Sequence, residues 1–390
     1  MALPLPAIAI VGAGPAGLAL AAILQQLNID YIVYERSQKD APPHGGCLDL
    51  HPGSGQRAMR EAGVFDEFRK HSRTGDATIH RLYSHKGEQV FIFGEGRDAP
   101  EIDRWAIRKV LLTGIPDDKV IWSKAVQSAE RDARGQVVLS FADGTTASGF
   151  KLVVGADGTF SKIRHLVTSA QPVYSNKLFI TTKIFPTNPF YTRMESIAGM
   201  GSMIIMGDGK HMFNSRQGYG HYRVDIGLQE PEDFATSGKV DWSDFDAAKR
   251  FLLQDKYFGS YAPEMQEIIR QSEGPFRPWL MYYMPTEHLD WEAVADVTLI
   301  GDAAHVTTPF VGDGVNCAMR DSVILAHKLS ELGITHEAIS AYEKEMFPFA
   351  IDVVSRSLLS GEMFFEKESP KTFLEVMASG KALIGTTDHI

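Results

Sequence analysis

Two glycine-rich stretches carry the residue types best suited to chemistry. Near the start, "GAGPAG" places Gly12, Gly14 and Gly17 in the spacing G-x-G-x-x-G, with Ala16 inside the same turn. The first glycine permits a tight turn and the second lets the backbone approach a pyrophosphate. The third lets a helix pack closely on a strand, with the helix N-terminus facing the negative charge. Glu35 lies 21 residues after Gly14, where a carboxylate at the end of the next strand can accept ribose hydroxyls. Almost 290 residues later, "GDAAHVTTPFVGDGVN" runs from Gly301 to Asn316. Asp302 suits a sugar hydroxyl, the alternative being a turn or helix cap. Gly312, Asp313 and Gly314 open a helix whose N–H groups and dipole would stabilise negative charge. Pro309, lacking an N–H, offers a flat wall.

Other candidates have competing readings. His305 is placed for general-base work or, more commonly at such a position, for a structural hydrogen bond. Arg104 and Arg108, one turn apart, form a basic helix face that either reaches a pyrophosphate or is simply solvated. Cys317 reads as a small packed residue, and no metal ligands are assigned.

These residues need elements to hold them. "AIAIVG" is a buried parallel strand, "PAGLALAAILQQL" a helix and "DYIVYER" a second strand, which together make a β-α-β unit. "PGSGQRAMREAG" and "DRWAIRKVLLTGI" read as helices, the latter with Asp103 as N-cap. "KVIW", "QVVLSFA" and "LVVGADG" read as short strands. Residues 172–285 alternate strand-like runs with two amphipathic helices, and Gly207-Asp208-Gly209 marks a hairpin turn. "DVTLIGDAAH" is a further buried strand. A helix follows with apolar residues three and four apart, then a long helix from His336 to about Glu368 and a shorter one after Pro370.

The expected fold is mixed α/β (α+β). A discontinuous Rossmann-like nucleotide domain takes residues 1–171 plus 286–335, a β-sheet substrate domain takes 172–285, and a C-terminal helical segment takes 336–390. The 39 Lys and Arg against 49 Asp and Glu give a net charge of −10, which argues against nucleic acid and anionic membrane surfaces. Two cysteines cannot make a disulfide framework, so a reducing, cytoplasmic setting is expected. The apolar N-terminus is broken by Pro4, Pro6, Gly12, Gly14 and Pro15, and no transmembrane helix is expected. The protein is expected to act as a monomer.

"GADGTFSKIRH" (155–165) and "GDAAHVTTPFVGDGVN", taken with the first glycine motif, resemble the flavoprotein aromatic hydroxylases built like para-hydroxybenzoate hydroxylase. The resemblance implies FAD. The first motif would hold its ADP half, the Asp157 stretch would follow, and the Asp302 stretch would take the ribityl chain and flavin ring. It also favours Arg104 over Arg108. Within that family, "YER", "GGCLDLHPGSGQRAMREAGVFDEF", "PEIDRWAIRKVLL" and "PFVGDGVN" are similar to the tetracycline-inactivating monooxygenases of the TetX type. That likeness adds Arg36, Leu48 and Asp49 to the cofactor residues. Thr181, Arg223, Pro309, Phe310 and Gly312 are taken as the substrate-facing set.

The chain departs from that subfamily in two places. "APPHGG" lacks the arginine that the subfamily uses for NADPH. Thr181, Gly201 or Ser202, and Arg223 stand where glutamine, arginine and histidine grip tetracycline. The resemblance implies an FAD-dependent monooxygenase using NADPH or NADH and O2 to hydroxylate a phenolic or polycyclic small molecule, tetracycline-like ones included, through a flavin hydroperoxide. A flavin oxidase or reductase, or a non-catalytic FAD-containing drug-binding protein, are the alternatives. Only one G-x-G-x-x-G is present, so the nicotinamide has no Rossmann domain of its own. Arg223 either faces the flavin and selects an anion, or pairs with Asp225 on the outer face of its strand.

Overall fold

The computed structural model describes residues 6–41 and 45–379. The apolar opening run forms β1 (Ile8–Val11), every residue buried, followed by α1 (Pro15–Gln26) and β2 (Tyr31–Tyr34). Pro15 suits the first helical position, where its missing N–H would have had no partner. There follow β3 (Cys47–Asp49), α2 (Gly55–Glu61), α3 (Phe65–His71), β4 (His80–Ser84), β5 (Gln89–Phe93), β6 (Glu101–Asp103) and α4 (Arg104–Leu112). The first half closes with β7 (Val120–Ile121), β8 (Val126–Arg131), β9 (Val137–Phe141), β10 (Thr146–Ser148) and β11 (Leu152–Gly155).

The second half begins with a long strand, β12 (Val173–Ile184), then α5 (Tyr191–Ala198), β13 (Ser202–Gly207), β14 (Lys210–Arg216) and β15 (Tyr222–Gln229). The expected hairpin joins β13 to β14. Asp208 and Gly209 both take positive φ there, at 53° and 72°, the requirement of a two-residue turn matched to strand twist. Next come α6 (Phe245–Leu252), α7 (Pro263–Gln271), β16 (Glu273–Tyr283), β17 (Val297–Leu299), α8 (Asp302–His305), α9 (Gly314–Leu332), α10 (His336–Phe364) and α11 (Lys371–Ala378).

Four sheets organise these elements. A five-stranded parallel sheet has the order β17-β11-β1-β2-β7. Its last strand arrives from residues 297–299, as the apolar run before Gly301 implied. A seven-stranded sheet has the order β16-β12-β15-β14-β13-β4-β5, with β4 parallel to β13. Small antiparallel sheets join β10-β9-β8 and β3-β6. One core lies among the parallel sheet, α1, α9 and α10. A second fills the outer face of the large sheet under α5, α6 and α7. A third lies between the opposite, inner face and the C-terminal helices. In the first core, Thr298 Oγ1 donates to the buried carboxyl of Glu343 at 2.8 Å.

Three local expectations are corrected. The large sheet is not confined to residues 172–285, because β4 and β5 complete it from the N-terminal half. Asp103 occupies the N-cap position of α4, but its carboxylate caps nothing there. It accepts instead from Arg73 at 2.9 Å and from the Gly218 N–H, bonds that tie β6 to the large sheet. α10 ends at Phe364, short of Glu368, since the carbonyls of Glu366 and Lys367 turn to accept the Gly209 and Asp208 N–H groups. No helix among the described residues is long and apolar enough to cross a membrane.

Candidate active site

The Gly12–Gly17 turn is held by its surroundings. Gly12 has φ +110°, and a Cβ there would lie 2.3 Å from the Ala156 carbonyl oxygen. A Cβ on Gly17 would meet the Gly12 carbonyl oxygen at 2.0 Å. Gly14 differs, with no atom of the described residues within 4 Å of where its Cβ would be. The backbone N–H groups of Gly14, Ala16 and Gly17 find no acceptor among the described residues. No side chain caps α1, and no acid occupies its first turn. Three free donors, a positive dipole end and open space at Gly14 fit a pyrophosphate. Glu35 stands beside this turn and accepts from the Ala13 N–H at 2.7 Å and from the Ser37 N–H and hydroxyl. It therefore braces the glycine turn as well as presenting a half-buried carboxylate. Arg36 is exposed next to it.

The "GADG" and "GDAA" stretches are locked to one another by Arg164, a fully buried arginine whose position in "SKIRH" does not announce this role. It donates to the carbonyls of Thr159, Asp302 and Ala303 at 2.8–3.1 Å. Asp157 turns back on its own loop, accepting from the Lys162 N–H at 2.6 Å. Asp302 is exposed at the start of α8, after Gly301 packs against Ala16 and Ala318. Arg104 reaches over Gly45 and lies in the electrostatic range of both Asp302 and Arg223. Arg108 points elsewhere, to Ser37 and the Gln38 carbonyl, with its guanidinium over Trp122. The two arginines thus do not act as one face.

Around the second glycine stretch, Pro309 is exposed and Gly312 takes φ +76°. The Gly312 N–H is used by the Pro309 carbonyl at 3.2 Å, and among the described residues the N–H groups of Asp313, Gly314, Val315 and Asn316 find no acceptor, the first intrahelical bond being that of Cys317 to the Asp313 carbonyl. The Asp313 carboxylate is buried and faces inward to Arg356 at 3.0 Å and His51 at 3.5 Å. His51 continues the chain to Asp49 at 3.1 Å, which Arg97 also contacts at 3.0 Å. Burial works against charge on Asp49, but the His51 hydrogen bond and the charges of His51 and Arg97 outweigh it and bring its pKa to about 2. Asn316 clamps the same strand: it accepts from the His51 N–H and donates to the Asp49 carbonyl, both at 2.9 Å. Leu48 points from the opposite face of β3 into the nucleotide-domain core. His51, Arg97, Arg164, Asn316 and Arg356 escaped sequence reading because their partners lie far away in the chain. His51, Arg164 and Asn316 stand inside the motifs "GGCLDLHPGSG", "GADGTFSKIRH" and "GDGVN", but spacing alone does not show what they touch.

His305 is settled as an internal residue. Its Nε2 lies 2.6 Å from Asp321, whose same oxygen accepts the Gly301 N–H at 2.8 Å. Burial opposes charge on the ring, but Cys317 and Asp321 raise its pKa well above the ordinary value. His305, Cys317 and Asp321 form a buried trio, consistent with the packed role expected for Cys317.

The inner face of the large sheet follows from strand alternation and register. One row crosses it as Lys183, Arg223, Ser215, Ser202 and His80. The next row holds Thr181, Asp225, Phe213, Ile204 and Leu82, and the third Phe179, Gly227, His211 and Met206. Arg223 donates to Asp225 at 2.7 Å and to the Thr181 hydroxyl at 3.0 Å. A Cβ on Gly46 would lie 2.9 Å from Arg223 Cδ, so this pair faces the Gly45-Gly46 stretch and not the outer surface. Phe310 reaches the third row, 6.1 Å from Phe179 between ring centres. The residues named from sequence therefore fall in two groups. One surrounds the α1 and α9 N-termini, and the other lines the sheet face opposite, with Arg104 and Arg223 between them.

The helix termini at Gly14 and at Asp313–Gly314 each present unpaired backbone N–H groups among the described residues, in two separate places. The chain is 28% identical over 379 residues to monooxygenase penA of Penicillium thymicola, covering 86% of this chain and 87% of the relative. Its fold is similar to Klebsiella pneumoniae HpxO complexed with FAD and uric acid, with a TM-score of 0.75, 23% identity, and coverage of 96% of this chain and 92% of that one. It is also similar to the tetracycline destructase Tet(55), with a TM-score of 0.73, 18% identity, and coverage of 96% and 95%. Residues 6–221 and 290–357 match the FAD binding domain family, well over half of the sequence, and the chain belongs to that family as an FAD-dependent monooxygenase of the aromatic hydroxylase kind.

Proposed function

We propose that the protein hydroxylates an aromatic or polycyclic small molecule bearing an acidic hydroxyl, enol or carboxyl group, with NADPH or NADH as reductant. The observation that carries this reading is Arg223, a permanent cation fixed by Asp225 and Thr181 on the inner sheet face, beside the Gly45-Gly46 stretch. When bound, FAD supplies the transfer of electrons from the nicotinamide and the activation of dioxygen. The α1 N-terminus would hold the pyrophosphate, Glu35 and Asp302 the sugar hydroxyls, and the Asp313 and Gly314 N–H groups the negative charge of the reduced ring. Arg223 would hold the substrate's anionic group and so orient its electron-rich carbon. Phe179, Phe213 and Phe310 would exclude water from that face. The uric acid bound by HpxO is a small acidic heterocycle, in line with this class.

The test is a screen of nicotinamide oxidation by the purified yellow protein against phenols, aromatic acids and tetracyclines. Mass spectrometry then looks for products heavier by one oxygen atom. Nicotinamide consumption with peroxide and no oxygenated product would identify an oxidase. Ligand binding without nicotinamide consumption would identify a binding protein.

A further inference from the structure

His211 is a buried polar group with nothing to bond. It is 1% exposed, and neither ring nitrogen has a hydrogen-bond partner among the described residues. Four phenylalanines surround it nearly edge-on: Phe179, Phe310, Phe364 and Phe365, with ring centres 4.7–5.8 Å away. Beside it is Gly227, where a Cβ would stand 2.3 Å from the imidazole, so the sheet itself makes room for the ring. Burial pushes the imidazole pKa down to about 3. The ring is therefore neutral, with one donor and one acceptor nitrogen. A leucine would fill this space without leaving a donor and an acceptor dehydrated and unpaired.

The position of His211 gives it a use. Its row on the inner face is two rows from that of Arg223. Ser215 is the cross-strand partner of Arg223, and His211 is four residues from Ser215 on β14. That separation is about 13 Å at the ordinary strand rise. The cage is assembled from the sheet, the Pro309-Phe310 loop and the end of α10. The α10 end is fastened over the sheet by the bonds from Asp208 and Gly209 to the Lys367 and Glu366 carbonyls, and by Lys177 with Glu362.

We propose that His211 is a second substrate anchor. It hydrogen-bonds a neutral hydroxyl or carbonyl at the far end of an aromatic substrate two rings long, whose acidic end is held at Arg223. The proposal rests on the monooxygenase reading above and names the substrate class for that site. The four phenylalanines close over the imidazole, so the second ring has to part them before its polar tip can satisfy a ring nitrogen.

Binding tests this directly. FAD-loaded wild type and His211→Leu would be titrated with phenol, 4-phenylphenol and 4,4′-biphenol, following the perturbation of flavin absorbance. Wild type is expected to bind both two-ring compounds more tightly than phenol, and 4,4′-biphenol about 3- to 10-fold more tightly than 4-phenylphenol, the worth of one hydrogen bond. His211→Leu should lose the preference for the second hydroxyl while keeping its FAD content and the affinity for 4-phenylphenol. Its melting temperature should be equal or higher. A preference that survives in the variant, two-ring phenols binding no better than phenol, or no perturbation by any of the three would overturn the proposal. So would a fall of several degrees in melting temperature, which would mark His211 as structural. A His211-dependent preference in a protein that never consumes nicotinamide would uphold the anchor and reject the activity. Turnover confined to single-ring phenols would do the reverse.

Discussion

Arg223 and Asp225 lie two residues apart on β15, and the guanidinium Nε donates to the carboxylate at 2.7 Å on the face turned toward Gly46. An ion pair and a substrate contact were opposed readings of Arg223. The geometry removes the opposition, since the pair fixes where the guanidinium points. Asp225 is 5% exposed, so Arg223→Gln leaves a nearly buried carboxylate with the Thr181 hydroxyl but without its charged partner. It should cost roughly 1–3 kcal/mol of stability, below the fully buried range because Arg223 is itself partly exposed. The KM for an acidic substrate should also rise about tenfold or more, with FAD content unchanged. Arg223→Gln combined with Asp225→Asn should recover the stability and leave KM high. Denaturant midpoints and steady-state kinetics check both. A double variant that regains wild-type KM would show that the arginine serves only the sheet.

The glycines of the first turn should separate by function. Gly12→Ala forces a Cβ against the Ala156 carbonyl in a left-handed conformation, and should yield little folded protein. Gly14→Ala adds a methyl that meets no atom of the described residues. It should fold with near-normal melting and lose FAD affinity, because its methyl projects where the pyrophosphate must come. Circular dichroism and flavin titration of the two variants give the comparison. A Gly14→Ala protein with normal flavin retention would place the cofactor elsewhere.

Glu35→Ala and Arg104→Ala should each weaken FAD binding by about 1.5–3 kcal/mol, roughly 10- to 150-fold. Glu35 also holds the Ala13 N–H, so its variant should lose some stability in the cofactor-free state, whereas Arg104→Ala should not. Arg108→Ala, with its side chain on Ser37 and Trp122, should leave flavin affinity unchanged. Equal flavin losses at the two arginines would contradict their assignment.

Glu343 gives a pH dependence independent of the cofactor. Burial raises its carboxyl to about 7, although the Thr298 hydroxyl bond works the other way. The folded state keeps a proton that the unfolded chain releases from about pH 4.5 upward. Stability from this group is therefore full in acid, falls as pH rises, and levels off above about 7. Glu343→Gln removes that slope. Relative to wild type it should be about 1–3 kcal/mol more stable at pH 8 than at pH 5. Guanidinium midpoints at the two pH values measure it, and an equal difference at both would show that the carboxyl is ionised throughout.

Legibility in the sequence tracked the physical origin of each feature. β1, β11 and β17 were visible because parallel strands covered on both faces are unbroken apolar runs. The hairpin at Asp208-Gly209 was visible because few residues tolerate its backbone. β3 and β6, three residues each, are too short to show a period. β5 exposes Val90, Phe91 and Ile92 at the edge of its sheet, which blurs the alternation that would have marked it. At the site, the glycines and acids could be named from spacing, but the direction of a side chain could not. Asp313 turns inward to Arg356 and His51, and Arg164 serves three carbonyls, because partners from distant segments meet them there.

The placement of β17 beside β11 also sets the order in which this protein can be made. The parallel sheet cannot close until residues 297–299 leave the ribosome, and β4 cannot find β13 before residue 202 does. Between Gly155 and Val297 lie roughly 140 residues, or about 7–28 s of synthesis. Throughout that interval the apolar edge of β11 and the uncovered side of α1 stand open on the nascent chain. A cell that produces this enzyme has to shield a half-built nucleotide fold for that long, so slower translation or a scarcity of chaperones should lower its yield before any variant does.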